Sequence, residues 1–279
     1  MEIVEESAVD IKKKIICPLS RSPFVDPVKK YVLRLLRRNK MNIYKINEIS
    51  ELLAGNTYPG RGIVIGKTED GKKAAIAYFI MGRSENSRNR VFKEVDDSVV
   101  TEPFDFSKVE DPSLIIYSAI RKFENKLIVT NGDQTDTIYD FVSTGKCFKQ
   151  ALKTREFEPD APNFTPRISG ILKFADNDFT YQMSILKSAD EKGSACNRYF
   201  YEYTPINGLG HFIHTYVGDG NPLPTFQGEP ERVAIPDDMK TFAQDIWNHL
   251  DEANKISLYV RYIDLATGES EDMVINKHA

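Results

Sequence analysis

Between residues 83 and 90 the chain carries three arginines (Arg83, Arg88, Arg90) and two asparagines, with Glu85 alone opposing them. A guanidinium keeps its charge and presents a planar fork that grips phosphate oxygens two at a time. The loop directly follows the apolar run 74–80. It reads as an anion pocket for a phosphorylated small molecule, or equally as a solvated basic turn between two strands.

Four further polar clusters could carry chemistry. Tyr58-Pro-Gly-Arg-Gly62 sets Arg61 between two glycines at a strand start, where glycine permits close backbone approach to a ligand or simply makes a turn. Residues 130–137, with Asn131, Gly132, Thr135, Asp136 and Thr137, lie between a strand and a helix. They offer amides and hydroxyls to an anion at a helix N-terminus, or merely cap it. Glu156-Phe-Glu-Pro-Asp160 followed by Asn163-Phe-Thr-Pro-Arg167 brings carboxylates and an arginine onto one proline-stiffened loop. In the run 208–214, His211 and His214 are three apart, so on a strand they face opposite sides and do not share a metal. No phosphate-binding P-loop, dinucleotide turn, zinc-protease helix or serine nucleophile elbow is present.

The elements that must position these residues are mostly strands. β-Branched runs at 60–66 and 74–80 flank a turn at Glu69-Asp-Gly71, and another strand is expected at 91–95. Asp111-Pro112 signals a helix running to Phe123, Lys126–Thr130 a strand, and 134–143 and 146–155 helices. A hairpin follows at 168–174 and 179–186, then strands at 199–203 and 212–217. A helix over 236–254 buries Met239, Phe242, Ala243, Ile246 and Leu250 on one face, and a hairpin at 256–264 and 271–276 closes the chain. Strands and helices in segregated groups favour an α+β fold with two antiparallel sheets and helices outside.

The 279 residues carry a net charge of −4, which excludes a polyanion binder. Residues 1–40 hold ten Lys/Arg against five Asp/Glu, so they balance at +5 and the remainder at −9. That shift divides a basic extension (1–40), with a short helix at 26–38, from a catalytic domain (41–279) whose strand patterning begins just after Met41. Three scattered cysteines, Cys17, Cys147 and Cys196, form no disulfide framework or metal pair. Without an apolar run of membrane-spanning length or a signal peptide, the cytoplasm is the expected location.

The clusters, taken in order, resemble the archaeal-type IMP cyclohydrolases (the PurO family) and their bacterial relatives. The matching residues are Gly60-Arg61-Gly62, Gly82-Arg83-Ser84 leading to Asn89-Arg90, and Asp111-Pro112 leading to Tyr117. They continue with Asn131-Gly132 through Thr135-Asp136-Thr137, and Thr165-Pro166-Arg167. The resemblance covers 56–170 closely and 171–279 more loosely. It implies a four-layer α-β-β-α sandwich like that of the N-terminal nucleophile hydrolases, without self-cleavage. It implies closure of 5-formamidoimidazole-4-carboxamide ribotide to IMP and water, the last step of purine synthesis. It implies a ligand-binding role for Arg90, a contact near the base for Tyr117 and a catalytic role for Glu158, with Arg61, Arg83, Ser84, Asn89, Asn131, Gly132, Thr135, Asp136, Thr137 and Arg167 around the substrate. Phe164 is an extra residue in the loop before Arg167, so Glu156 competes with Glu158. The segment 208–228 departs from the shorter archaeal pattern and is expected to shape the pocket mouth. No metal or organic cofactor is expected. The expected partners are the ribotide and IMP, with no nucleic acid or membrane, and homo-oligomer formation is left open. The rival readings are a non-catalytic purine-nucleotide-binding module and another amidohydrolase on the same sandwich.

Overall fold

Alternation along the β-branched runs decides the architecture. A computed structural model describes residues 42–109 and 116–278. In β1 (Arg61–Lys67) and β2 (Lys73–Met81), Ile63, Ile65, Ile76, Tyr78 and Ile80 point into one core, while Val64, Ala75, Ala77 and Phe79 point into another. Successive strand side chains take opposite faces, and both faces are covered. The run 74–80 is therefore apolar throughout instead of alternating with polar residues.

Among the described residues all strand pairs are antiparallel, in two sheets. The first has the order β11 (Glu231–Ala234), β10 (Leu209–His214), β1, β2, β12 (Lys255–Asp264), β13 (Ser270–Asn276). The second runs in chain order: β3 (Val91–Val95), β4 (Ser98–Glu102), β5 (Tyr117–Phe123), β6 (Lys126–Thr130), β7 (Arg167–Ala175), β8 (Asp178–Ser188) and β9 (Cys196–Tyr203). Between the sheets, Ile63, Ile76 and Tyr78 meet Val129, Ile168, Leu172 and Met183.

Short helices cover the outer faces. On the first sheet, α1 (Ile49–Leu53) supplies Ile49 and Leu53, and α5 (Met239–His249) supplies Phe242, Ala243 and Ile246. On the second, α3 (Gln134–Ser143) supplies Ile138 and Val142, and α4 (Phe148–Leu152) its Phe148, Ala151 and Leu152, all against Ile128 and Ile171. A further helix of four residues, α2 (Glu85–Arg88), follows β2. Among the described residues no helix is long and apolar enough to cross a membrane.

Several expectations need correction. The segment from Tyr117 to Phe123 is β5, not helix, because pairing with β4 and β6 outweighs the Asp111-Pro112 cap signal. Residues 110–115 themselves lie outside the described residues, as do the helix expected at 26–38 and Cys17. No strand begins just after Met41; α1 and a loop precede the first strand at Arg61. The helices expected at 146–155 and 236–254 shorten to α4 and α5. The arginine loop contains α2, whose start is fixed by reciprocal Ser84–Ser87 bonds. Strands β4 and β11 were not expected; Asp96, with φ of 52°, makes the tight turn that leads into β4.

Candidate active site

The start of β1, the end of β2, the starts of β5 and β7 and the end of β10 gather at one end of the two sheets. Register places Arg61 opposite Ile80, Gly62 opposite His214 and Thr130 opposite Ser169. Here lies a pocket of about 270 Å³ lined by Tyr58, Arg61, Arg83, Ser84, Ser87, Arg90, Glu158, Asp160, Asn163, Thr165, Tyr216 and Leu223. A larger cavity of about 340 Å³ opens at the opposite, hairpin-turn end, among Lys122, Asp176, Arg261 and Asp264. Its buried cation, Arg261, is already held by both carboxylate oxygens of Asp272. The first pocket instead holds two buried arginines, Arg61 and Arg90, close to Glu158.

Arg61 and Arg90 are 8% and 7% exposed, and the buried Nε of each has no hydrogen-bond partner among the described residues. A buried donor without a partner is costly. Burial works against the charge of Arg61, yet Glu158 and the phenols of Tyr58, Tyr216 and Tyr117 hold its pKa above the usual arginine value. Burial and the neighbouring Arg61 push Arg90 down, opposed by Tyr117 and Glu158. Glu158 feels burial first, which raises its pKa; Arg61, Arg167 and Arg90 pull it down, Asp160 pushes it up, and the net shift is upward.

The loop before β7 settles the geometry of its two glutamates. The Glu158 backbone N–H donates to Thr165 O at 2.9 Å, and the side chain faces the pocket. Glu156 is exposed and receives a bond from Arg198 at 3.4 Å. Phe164, with φ of 44°, packs against Phe157 at 5.4 Å between ring centres. Tyr117 is buried and shares a hydroxyl bond of 2.9 Å with Tyr78 beside the two arginines.

Other expected residues are drawn elsewhere. The Arg83 guanidinium reaches the pocket rim, where it donates to Asp219 at 2.5 Å and Gly220 O at 2.9 Å and lies over the Tyr58 ring. Ser84 lines the pocket and caps α2. Asn89 does not line it; its amide clamps the backbone of Asp105 at 2.7 Å in both directions. Asn131 bonds Pro166, Ile168 and Gln134, while Thr135 bonds Thr130 and Gly132, so both brace the loop before α3. Asp136 pairs with Arg121 on the exposed side, and Thr137 accepts from Arg155. Gly132 sits behind Glu158, where a Cβ would meet Arg167 Nη1 and Gln134 Oε1 at 2.8 Å. Arg167 donates to Asp133 and Gln134. The glycines at 60 and 62 make room for protein and not for ligand: a Cβ on Gly60 would strike Thr215 and Tyr216, and one on Gly62 the Phe79 ring.

Sequence reasoning missed Tyr58, Tyr78, Ser87, Asp160, Asn163, Tyr216, Leu223 and the rim residue Asp219. Tyr58, Ser87, Asp160 and Asn163 lie inside the motifs singled out above, and Asp219 sits between two glycines, so all five were within reach; Tyr216 carries no local signal. The segment after β10 does form part of the mouth, since Tyr216 and Leu223 line it and Asn163 holds the Leu223 N–H at 3.0 Å. His211 and His214 do face opposite sides, with His211 stacked on Tyr203 and His214 on Phe212. Among the described residues no group of three His, Cys, Asp or Glu could hold a metal ion.

Fold and site together define an α+β protein with a pocket that sets buried arginines close to a carboxyl whose pKa burial raises. The chain belongs to the IMP cyclohydrolase-like protein family, whose model matches residues 58–269. The IMP cyclohydrolase of Methanococcus aeolicus is 30% identical over 163 residues, 57% of this chain and 74% of that protein. Those of Methanocaldococcus jannaschii and Methanopyrus kandleri are 36% and 35% identical over 118 and 116 residues, 41% and 40% of this chain. The matched stretches span little more than half of these two relatives, 56% and 57%.

Proposed function

We propose that this chain is an IMP cyclohydrolase, closing 5-formamidoimidazole-4-carboxamide ribotide to IMP and water. The observation that carries the reading is the pair of buried arginines, Arg61 and Arg90, facing Glu158 in one pocket. Family membership and the activity for which the relatives are named support it. The α-β-β-α layering expected of an N-terminal nucleophile-type sandwich is supported by helices on both outer faces. We assign residues 41–279 to the catalytic domain, 1–40 to a basic extension, and the cytoplasm as location.

Ring closure is intramolecular, so orientation replaces an encounter and lowers the barrier. The carboxamide nitrogen attacks the formyl carbon, and the tetrahedral carbinolamine then loses water. Protons must move, and charge develops on the formyl oxygen. Glu158, with its raised pKa, is suited to proton transfer. Arg61, Arg90 and Arg83 supply fixed positive charge for the phosphate and the developing oxyanion; Tyr117 contacts the base.

The test is an absorbance assay of ring closure with the formamido ribotide. Turnover that depends on Glu158 supports the reading. Thermal stabilisation by IMP without turnover would make the protein a nucleotide-binding module instead.

A further inference from the structure

A ring closure needs two proton events at different atoms. The attacking nitrogen sheds a proton while the formyl oxygen gains one. Glu158 can serve one of them. The structure holds a second polar array in the same pocket, formed by Asp160, Thr165 and Tyr216.

Its hydrogen-bond directions are fixed. A carboxylate only accepts. Asp160 Oδ1 takes the Thr165 backbone N–H at 2.6 Å, and its Oδ2 takes the Thr165 hydroxyl. The one hydroxyl proton of Thr165 is thereby committed. The 2.6 Å contact between Thr165 Oγ1 and the Tyr216 hydroxyl therefore requires the phenol to donate. Tyr216 is left with its oxygen lone pairs for the pocket it lines. Its ring is held by stacking on Tyr58, with centroids 5.9 Å apart. Thr165 is buried, whereas Asp160 is half-buried at the pocket wall and can exchange a proton with solvent.

Building on the ring-closure reading, we propose that Tyr216 is a second proton-transfer group of this site, with Thr165 and Asp160 as positioning residues that carry its proton away. In the first step the carboxamide nitrogen bonds to the formyl carbon, and the carbonyl π pair moves to oxygen, which takes the proton of Glu158. The nitrogen gives its proton to the Tyr216 oxygen, Tyr216 gives its own to Thr165, and Thr165 gives its own to Asp160. The products are the carbinolamine, a Glu158 carboxylate and a protonated Asp160, so atoms and charge balance. The chain of hydroxyls lets a carboxylate whose oxygens are both engaged by Thr165 act as the base for the ligand.

Thr165→Val keeps shape and removes the hydroxyl; Thr165→Ser restores it. Thr165→Val and Tyr216→Phe should each lower turnover about 10²-fold, the scale of a positioned proton-transfer group, with IMP affinity by calorimetry unchanged. Thr165→Ser should recover most of the rate. A plot of wild-type rate against deuterium content should be curved, with several protons in flight, and straight for Thr165→Val. Turnover of both Thr165→Val and Tyr216→Phe equal to wild type overturns the relay, as does a rate loss matched by lost IMP affinity. Melting temperatures check folding, and if Thr165→Val unfolds, Tyr216→Phe decides. A wild-type protein without ring closure fails the functional reading itself, and the relay falls with it. Normal wild-type closure with unaffected variants fails the relay alone.

Discussion

Glu156 and Glu158 stand two residues apart in one loop yet meet different surroundings: Glu158 faces Arg61 and Arg90 inside the pocket, and Glu156 meets Arg198 at the surface. Glu158→Gln keeps size and hydrogen bonding but cannot titrate. It is expected to reduce turnover at least ~10²-fold with little change in product affinity, as for loss of a positioned acid or base. Glu156→Gln should leave turnover near wild type. Steady-state kinetics of the two variants decide the matter, and the reverse pattern would move catalysis to Glu156.

Arg90 is expected to bind the ribotide through its fork. Arg90→Lys replaces two parallel donors with a point charge. Calorimetry should show IMP binding weakened by about 1.5–3 kcal/mol, the range for hydrogen bonds to charged groups. Unchanged affinity in Arg90→Ala would remove Arg90 from the ligand site.

The Arg83–Asp219 pair at the rim competes with a ligand anion for one guanidinium. Both side chains are substantially exposed, so the pair is worth at most about 1 kcal/mol. Asp219→Asn releases that charge while Gly220 O and the Tyr58 ring keep Arg83 in place. IMP affinity should rise by up to about fivefold, since 1.4 kcal/mol is tenfold, and depend more steeply on salt. Weaker binding would instead make Asp219 a ligand contact.

His211 gives a pH signature to the fold. Burial, with help from Arg232, lowers its pKa to about 4; its Nδ1 shares a 2.6 Å bond with the Tyr181 hydroxyl. The folded value lies below the unfolded one, near 6.5. The unfolded chain therefore binds more protons between these values, and stability rises with pH there. The contribution is full above pH ~6.5 and is lost as pH falls to ~4, amounting to at most about 3 kcal/mol. Denaturant melts at several pH values should show this acid slope in the wild type and a flatter one in His211→Gln. Equal slopes would mean that His211 titrates normally.

Every pocket residue lies between Tyr58 and Leu223. The chain shortened to 41–279 is therefore expected to keep its melting temperature and ring-closure rate. Loss of both would assign residues 1–40 to the catalytic domain.

Legibility followed the range of the interactions. The hairpins β1–β2, β7–β8 and β12–β13 could be read because their turns and alternation are local. Tyr117–Phe123 could not, since a cap signal and a short apolar run are compatible with helix until β4 and β6 claim the strand. In the site, Arg61, Arg83 and Arg90 stood out by charge in a polar motif, whereas Glu158 was separated from Glu156 only by the family resemblance. Asn89, Asn131 and Thr135 also stood out in polar motifs, but their polar groups hold backbone instead. Composition alone does not separate a ligand contact from a brace. Tyr216 arrives from a distant segment, and only the assembled sheets bring it to Thr165.

Arg61 beside Arg90 also governs how the protein behaves in a test tube. Burial and the neighbouring Arg61 disfavour the charge of Arg90 in the folded state, and a small anion that settles between the two arginines is expected to relieve the repulsion. Because a ligand bound only by the folded state raises apparent stability with its concentration, the choice of buffer becomes part of the protein's thermodynamics. Melting temperatures in phosphate or sulfate should exceed those in chloride at equal ionic strength. A stability ranking of variants is then meaningful only when the counter-ion is held constant, and preparations of one sequence in two salts should differ as though they were two mutants.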